Sequence, residues 1–221
     1  MRTQFTNELV ALTADLTQMC RITHEAADRM TDALVGADLT ATYEVFALDE
    51  RLQTMYGACE ARTVVLLALQ APVARDLRHV VTAIQIAGEL SRIGHLFSLV
   101  ADQVYRSHPE PIAAPATLDL LGGMSGLAAA ATGRAERAVT TGRYSGDDDG
   151  GPAAMHALNQ KLRAALATTD DTTENAIALA LIGYQLTCTL EHTDRIERLI
   201  HFLDTGIPPT AQIAPEDEAA G

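Results

Sequence analysis

Lysine is almost missing from this chain. Lys161 stands alone, and Lys and Arg together number 16 against 29 Asp and Glu, a net charge of −13. Phosphate neutralisation needs clustered basic side chains, so a nucleic acid is excluded as a direct partner, while the acidic surface favours solubility. Cysteine is scarce too: Cys20, Cys59 and Cys188 are odd in number and share no CxxC spacing. That excludes a disulfide framework and a thiolate zinc site, and each cysteine sits in an apolar helical pattern as a buried free thiol.

Long hydrophobic runs are absent. The most apolar stretch, Ala176 to Leu190, falls short of the roughly 20 residues that a spanning helix needs, and it holds Gln185. The first residues lack the apolar core and small-residue cleavage site of a signal peptide. Together these readings predict a soluble, cytoplasmic protein with no direct membrane insertion. Catalytic signatures are missing as well: there is no GxSxG, HExxH, GxxxxGK[ST] or GxGxxG, which speaks against an ATPase or phosphatase and for a protein that is not an enzyme.

What is present is helical periodicity from end to end, with no segment that requires a strand. A first helix is predicted from about Thr3 to Val35, with Leu9, Leu12, Leu16, Met19, Ile22, Ala26, Met30 and Leu34 on one face and Gly36 closing it. Asp38 offers a cap for a second helix over Thr40 to Leu69, whose apolar side is Val45, Leu48, Leu52, Met55, Cys59, Val64, Leu66 and Leu67. Ala71-Pro72 breaks the chain, Pro72 suits a first-turn position, and a third helix follows to about Val104 on Leu77, Val80, Val81, Ile84, Ala87, Leu90, Ile93, Leu96, Phe97 and Val100.

Between Tyr105 and Thr117 the pattern breaks into RSHPEPIAAPA, of which residues 108–116 read as a linker. Periodicity resumes at Leu118, stops near Gly142, and returns from about Ala153 to Thr168 after a Gly-Asp loop. A last helix spans Thr172 to about Thr205, capped by the Thr169 to Thr172 cluster. The expected organisation is thus all-α, two tandem antiparallel three-helix bundles over 1–107 and 117–205, with 206–221 a disordered tail.

The second half repeats the first. ALDERL at Ala47 to Leu52 matches ALNQKL at Ala157 to Leu162, and SRIGHLF at Ser91 to Phe97 matches DRIERLI at Asp194 to Ile200. The full run Gln70-Ala71-Pro72-Val73-Ala74-Arg75-Asp76-Leu77-Arg78 and the Arg92-Ile93-Gly94 centre of Ser91 to His95 resemble the PhoU family of phosphate-signalling regulators. That family carries a Gln-x-Pro-x-x-x-Asp-Leu-Arg lead-in to helix three and a Glu-Arg-Ile-Gly-Asp signature in each half.

The resemblance implies a negative regulator of the phosphate-starvation response and of phosphate uptake. Such proteins couple the phosphate-specific ABC transporter, through its ATPase, to a membrane sensor histidine kinase, often as homodimers. It also implies that the signature acids bind Fe, Zn, Mn or Mg. Here both acids of the first signature are replaced, by Ser91 and His95, while the second keeps one acid, Asp194, and has Arg198 in place of the other. No metal is expected; any site would be rebuilt from Glu89, His95, Glu191 and Asp194.

Two further readings concern charge. Glu191 with Arg195 and Asp194 with Arg198 are i, i+4 pairs, read as helix-stabilising ion pairs. Arg75, Asp76, Arg78 and His79 open helix three and, with Arg92, are the candidate partner-binding residues; the bland counterpart is plain capping, Asp76 meeting the helix dipole. A metal-binding helical bundle with a catalytic or storage role is the alternative from another class, but its usual Glu-x-x-His spacing is absent.

Overall fold

The computed structural model describes residues 2–70, 72–144, 146, 150–168 and 172–212, and side chains from Phe5 onward except that of Gln70. Six α-helices follow one another: α1 (Arg2–Gly36), α2 (Leu39–Gln70), α3 (Ala74–Ser107), α4 (Pro115–Thr141), α5 (Gly151–Ala167) and α6 (Thr173–Thr205). Helices α1 to α3 form one antiparallel bundle and α4 to α6 a second; α1 lies against α4 and α3 against α6, so one continuous apolar core runs through both. No strand occurs among the described residues.

The α1 stripe is buried as its spacing requires: Leu12, Leu16, Met19, Ile22, Ala26, Met30 and Leu34 are all in the core. The α2 stripe narrows. Val45, Leu52, Cys59 and Leu66, seven residues apart in turn, are buried, whereas Val64 is 60% and Leu67 37% exposed. An outer helix that touches only α1 and α3 can bury a heptad seam but not a wide face. In α3, Leu77 and Val81 are likewise exposed, while Val80, Ile86, Leu90, Ile93 and Phe97 fill the core. Cys20, Cys59 and Cys188 are buried free thiols, and burial pushes the Cys20 thiol up to about 12 and that of Cys59 to about 11.

Several boundaries differ from the expected ones. Gly36 is the last residue of α1, and the left-handed turn that ends the helix falls on Ala37, φ 50. Asp38 then caps α2 as predicted, its Oδ1 accepting from the N–H groups of Thr40 at 2.8 Å and Ala41 at 3.1 Å. Pro72 lies outside α3 altogether: Val73 is the N-cap and Ala74, the first helical residue, has φ 49. Helix α4 starts at Pro115, since a proline that breaks one segment is also well shaped to begin the next.

Thr172 caps α6 by accepting from the Asn175 N–H at 3.2 Å; the rest of the expected cap cluster lies outside the described residues. The expected disordered tail is ordered at its start. Pro209–Ala211 forms a 3-10 turn, and Gln212 Nε2 donates to the Ile207 carbonyl at 2.7 Å and to the Arg198 carbonyl at 3.3 Å, while 213–221 lie outside the described residues.

Helix α4 can approach α1 closely because its facing residues are small. Ala128, Ala131 and Ala135 are buried there, and a Cβ on Gly133 would come within 3.3 Å of the His24 ring. His24 Nδ1 and Thr132 Oγ1 make a hydrogen bond of 3.1 Å across this interface.

Candidate functional site at the seam between the bundles

Helix α3 carries the signature region, and one residue fixes how it sits on α2. A Cβ on Gly94 would fall 2.5 Å from Leu52 Cδ1 and 3.4 Å from Asp49 Oδ1, so any larger residue would have to displace the buried Leu52 side chain. The second bundle makes the same contact with Gly183 of α6: its Cβ would lie 2.6 Å from Leu162 Cδ2 and 3.7 Å from Asn159 Oδ1. Leu52 with Leu162 and Asp49 with Asn159 are the pairs that the ALDERL and ALNQKL match aligns.

By this contact Gly94 answers to Gly183, 14 residues before the Glu197 that the match of SRIGHLF to DRIERLI sets against it. Fourteen residues are about four helical turns, so both registers place the apolar residues on the same face. Paired by the contact, Ser91 to His95 answers to Ala180-Leu181-Ile182-Gly183-Tyr184, which retains Ile-Gly and no acid.

Around Gly94 the polar groups form a short chain. Ser91 Oγ donates to Gln53 Oε1 at 2.8 Å, and Gln53 Nε2 donates to Asp49 Oδ1 at 3.0 Å and to the Ser91 carbonyl at 3.2 Å. His95 Nδ1 lies 3.7 Å from Asp49 Oδ2. A cavity of about 490 Å³ opens beside them, lined by Gln53, Ser91, Arg92, His95, Leu96 and His192.

Its floor is ionic. Glu89, buried in α3, meets His192 Nδ1 at 2.6 Å and Arg195 Nε at 3.0 Å, both from α6. Burial by itself would raise the Glu89 carboxyl, but the His192 hydrogen bond and the charges of His192, Arg195 and Arg92 outweigh it and hold the group below its ordinary value. Arg195 is thus bound across the seam to Glu89, not to Glu191 as its spacing suggested. Asp194 does pair with Arg198 on the same helix, and Glu197 reaches Arg134 of α4 at 3.5 Å.

The four residues named as possible metal ligands are not brought together. Glu89 is held by His192 and Arg195, His95 by Asp49, Asp194 by Arg198, and Glu191 is exposed. Among the described residues no three His, Cys, Asp or Glu side chains converge as a metal site. The donor set does not fit a divalent cation, because the one buried carboxylate is already engaged by two basic side chains.

The start of α3 divides. Arg75 and Asp76 are exposed, as is Arg92 further along. Arg78 is packed: its guanidinium lies 5.4 Å from the Phe202 ring centroid, and a Cβ on Gly206, φ 79, would meet it at 2.5 Å. It ties the first bundle to the end of α6. His79 lines an apolar cleft of about 550 Å³, and burial, with Arg75 and Arg78 adding repulsion against the pull of Asp76, pushes its pKa down. His192 escaped the sequence reading, since nothing local marks a histidine 103 residues from its partner.

Fold and seam define a two-bundle, all-helical protein whose polar chemistry is spent in joining one bundle to the other. The sequence model of the PhoU domain family matches residues 16–104. A curated relative named as phosphate-specific transport system accessory protein PhoU homolog 2, from Mycobacterium tuberculosis, is 41% identical over 110 residues, 50% of this chain and 52% of its own. The matched stretch thus spans about half the length of that relative. The PhoU homolog 1 of the same species is 29% identical over 220 residues, 95% of this chain and 97% of its own.

Among solved structures, PhoU from Streptococcus pneumoniae superposes with a TM-score of 0.72 at 19% identity, covering 91% of this chain and 97% of the other. PhoU from Pseudomonas aeruginosa gives 0.69 at 20%, covering 91% and 99%. The chain is thus similar to PhoU proteins: its residues 16–104 match the PhoU domain model, and its fold is that of the solved PhoU structures.

Proposed function

We propose that this protein is an accessory regulator of a phosphate-specific transport system. It acts as a brake on uptake and on the phosphate-starvation response by touching both the transporter ATPase and a sensor histidine kinase. The observation that carries this reading is the likeness, over 95% of the chain, to a relative named as a transport accessory protein. Support comes from the shape: long rigid helices can lie against another helical bundle, and a net charge of −13 favours partners with basic patches. No described helix is long and apolar enough to cross a membrane, so membrane proximity would come through these partners.

The reading includes a cytoplasmic homodimer and no resident metal at the seam; elemental analysis that finds several Fe, Zn, Mn or Mg ions per chain would contradict the latter. The direct test is capture of the kinase's cytoplasmic part and of the ATPase by the full chain, with Arg75→Glu and Asp76→Lys variants. Both positions are exposed, whereas Arg78→Ala would loosen the bundles and confuse the result. Capture by the wild type and its loss in the two variants is expected; no capture of either partner overturns the reading.

A further inference from the structure

We infer that the apolar cleft at one end of the seam binds a free medium-chain fatty acid, its hydrocarbon chain between the bundles and its carboxylate against His79. The cleft, of about 550 Å³, lies where the first turns of α1 and α3 meet the last turns of α4 and α6. Leu12, Leu16, Ile86, Val139 and Ile200 wall it, and all five belong to the core. Protein interiors pack as densely as organic crystals, so a gap of this size leaves those side chains without dispersion partners on one side. The volume falls in the range of about 300–1,000 Å³ that small-molecule pockets span.

The body of the occupant is apolar because the walls give it nothing polar to meet. Thr13 and Thr17 of α1 reach the cleft, but their hydroxyls already donate, to the Leu9 carbonyl at 3.0 Å and to the Thr13 carbonyl at 3.0 Å. Among the described residues no Asp, Glu, Lys or Arg side chain lines it.

The head is set by His79. Burial and the charges of Arg75 and Arg78 push its pKa down against the pull of Asp76, so at neutral pH the ring is uncharged and carries one N–H. That ring makes no hydrogen bond or ion pair among the described residues. Two guanidiniums against one carboxylate set a positive field around an open donor, which suits an anionic acceptor. One N–H serves a carboxylate oxygen, whereas a phosphate monoester, with three terminal oxygens and more charge, would have acceptor sites that this wall does not serve. A pocket of this size takes one hydrocarbon chain, which separates a free acid from a two-chain phospholipid. Since the walls come from both bundles, the occupant ties them together, as Arg78 does nearby against Phe202.

Titration calorimetry of the full chain decides it, with decanoate, its uncharged counterpart decanol, and phosphatidylcholine vesicles as probes. Saturable binding of one decanoate per chain is expected, with a raised melting temperature. Decanol should bind about tenfold more weakly, for want of one charge-assisted hydrogen bond. His79→Leu keeps the bulk and removes the donor, and should bring decanoate down to the level of decanol. Thr13→Phe, at an exposed position on the rim, should close the cleft and abolish binding of both. Melting temperatures without ligand show which variants are folded, and either variant alone suffices. Absence of saturable decanoate binding, equal affinity for decanol, binding that the folded variants leave intact, or binding to vesicles in place of decanoate overturns the inference. The outcome is independent of the regulator reading, because no partner protein is present and partner capture needs no fatty acid.

Discussion

In the first bundle Gly94 seats α3 on Leu52 with Asp49 at the edge; in the second, Gly183 seats α6 on Leu162 with Asn159 at the edge. The apolar part of the contact is kept in both halves and the polar part is not. Asp49 faces His95 at 3.7 Å, whereas Asn159 Nδ2 donates to Thr187 Oγ1 at 3.2 Å. Outside the contact the difference widens. Arg92 and His95 of the first half stand where Leu181 and Tyr184, 47% and 63% exposed, stand in the second. Packing constrains what lies between helices, while the outer face is left to whatever each half must meet; one scaffold therefore presents a basic polar patch on one bundle and an apolar one on the other.

The largest expected effect is on what joins the halves. Glu89→Ala leaves His192 and Arg195 without their buried carboxylate, and the loss should be about 2–3 kcal/mol, below the full cost of breaking a buried pair because Arg195 is 54% exposed. Chemical denaturation measures it. The pH dependence has a definite sign: the folded carboxyl lies below its unfolded value of 4.5, so the contribution is complete above that value and disappears as pH falls through the depressed one. The variant should lose that part of the acid sensitivity.

Next comes the contact itself. Gly94→Ala and Gly183→Ala each press a methyl onto a buried leucine, costing about 1–3 kcal/mol, offset in part by roughly 1 kcal/mol of helix propensity. Similar losses in the two variants sharpen the equivalence of the halves. A neutral or stabilised Gly183→Ala would break it and return Glu197 to contention as the counterpart of Gly94. A smaller change of opposite sign is expected at Ala37→Gly: the left-handed φ of 50 costs an alanine about 1 kcal/mol that glycine does not incur, so the melting temperature should rise.

These tests also mark where sequence reasoning reached. Six helices were legible because Leu12, Met19, Ile22 and Met30, or Val45, Leu52 and Cys59, recur at helical spacing and are buried. The site was legible only in part. Asp49 and His95 lie on the elements the repeat pointed to, but Glu89 finds His192 across the seam, and no local pattern encodes a contact between separate bundles. The pairing of Ile93 with Ile196 differs from the one the two glycine contacts give for a physical reason: periodicity reports the face of a helix and is silent on displacement by whole turns. The packing of Arg78 was hidden for a related reason, since a family-like motif said that it mattered but not that it lies against Phe202.

The smallest effect is expected where the halves differ most in charge. Asp49→Asn gives the first contact the chemistry of the second, and its partner His95 has a side chain 62% exposed, so the ion pair is worth little and stability should change by less than about 0.5 kcal/mol. Gln53 still finds an amide oxygen at position 49 to accept its hydrogen bond. Equilibrium denaturation of the variant beside the wild type measures the difference. If the change is that small, an acid kept at the edge of the Gly94 contact serves something other than folding, and loss of phosphate control in cells carrying the stable variant would assign it to a partner. A loss above 1 kcal/mol would instead make Asp49 part of the packing and narrow the contrast between the bundles to Arg92 and His95 alone.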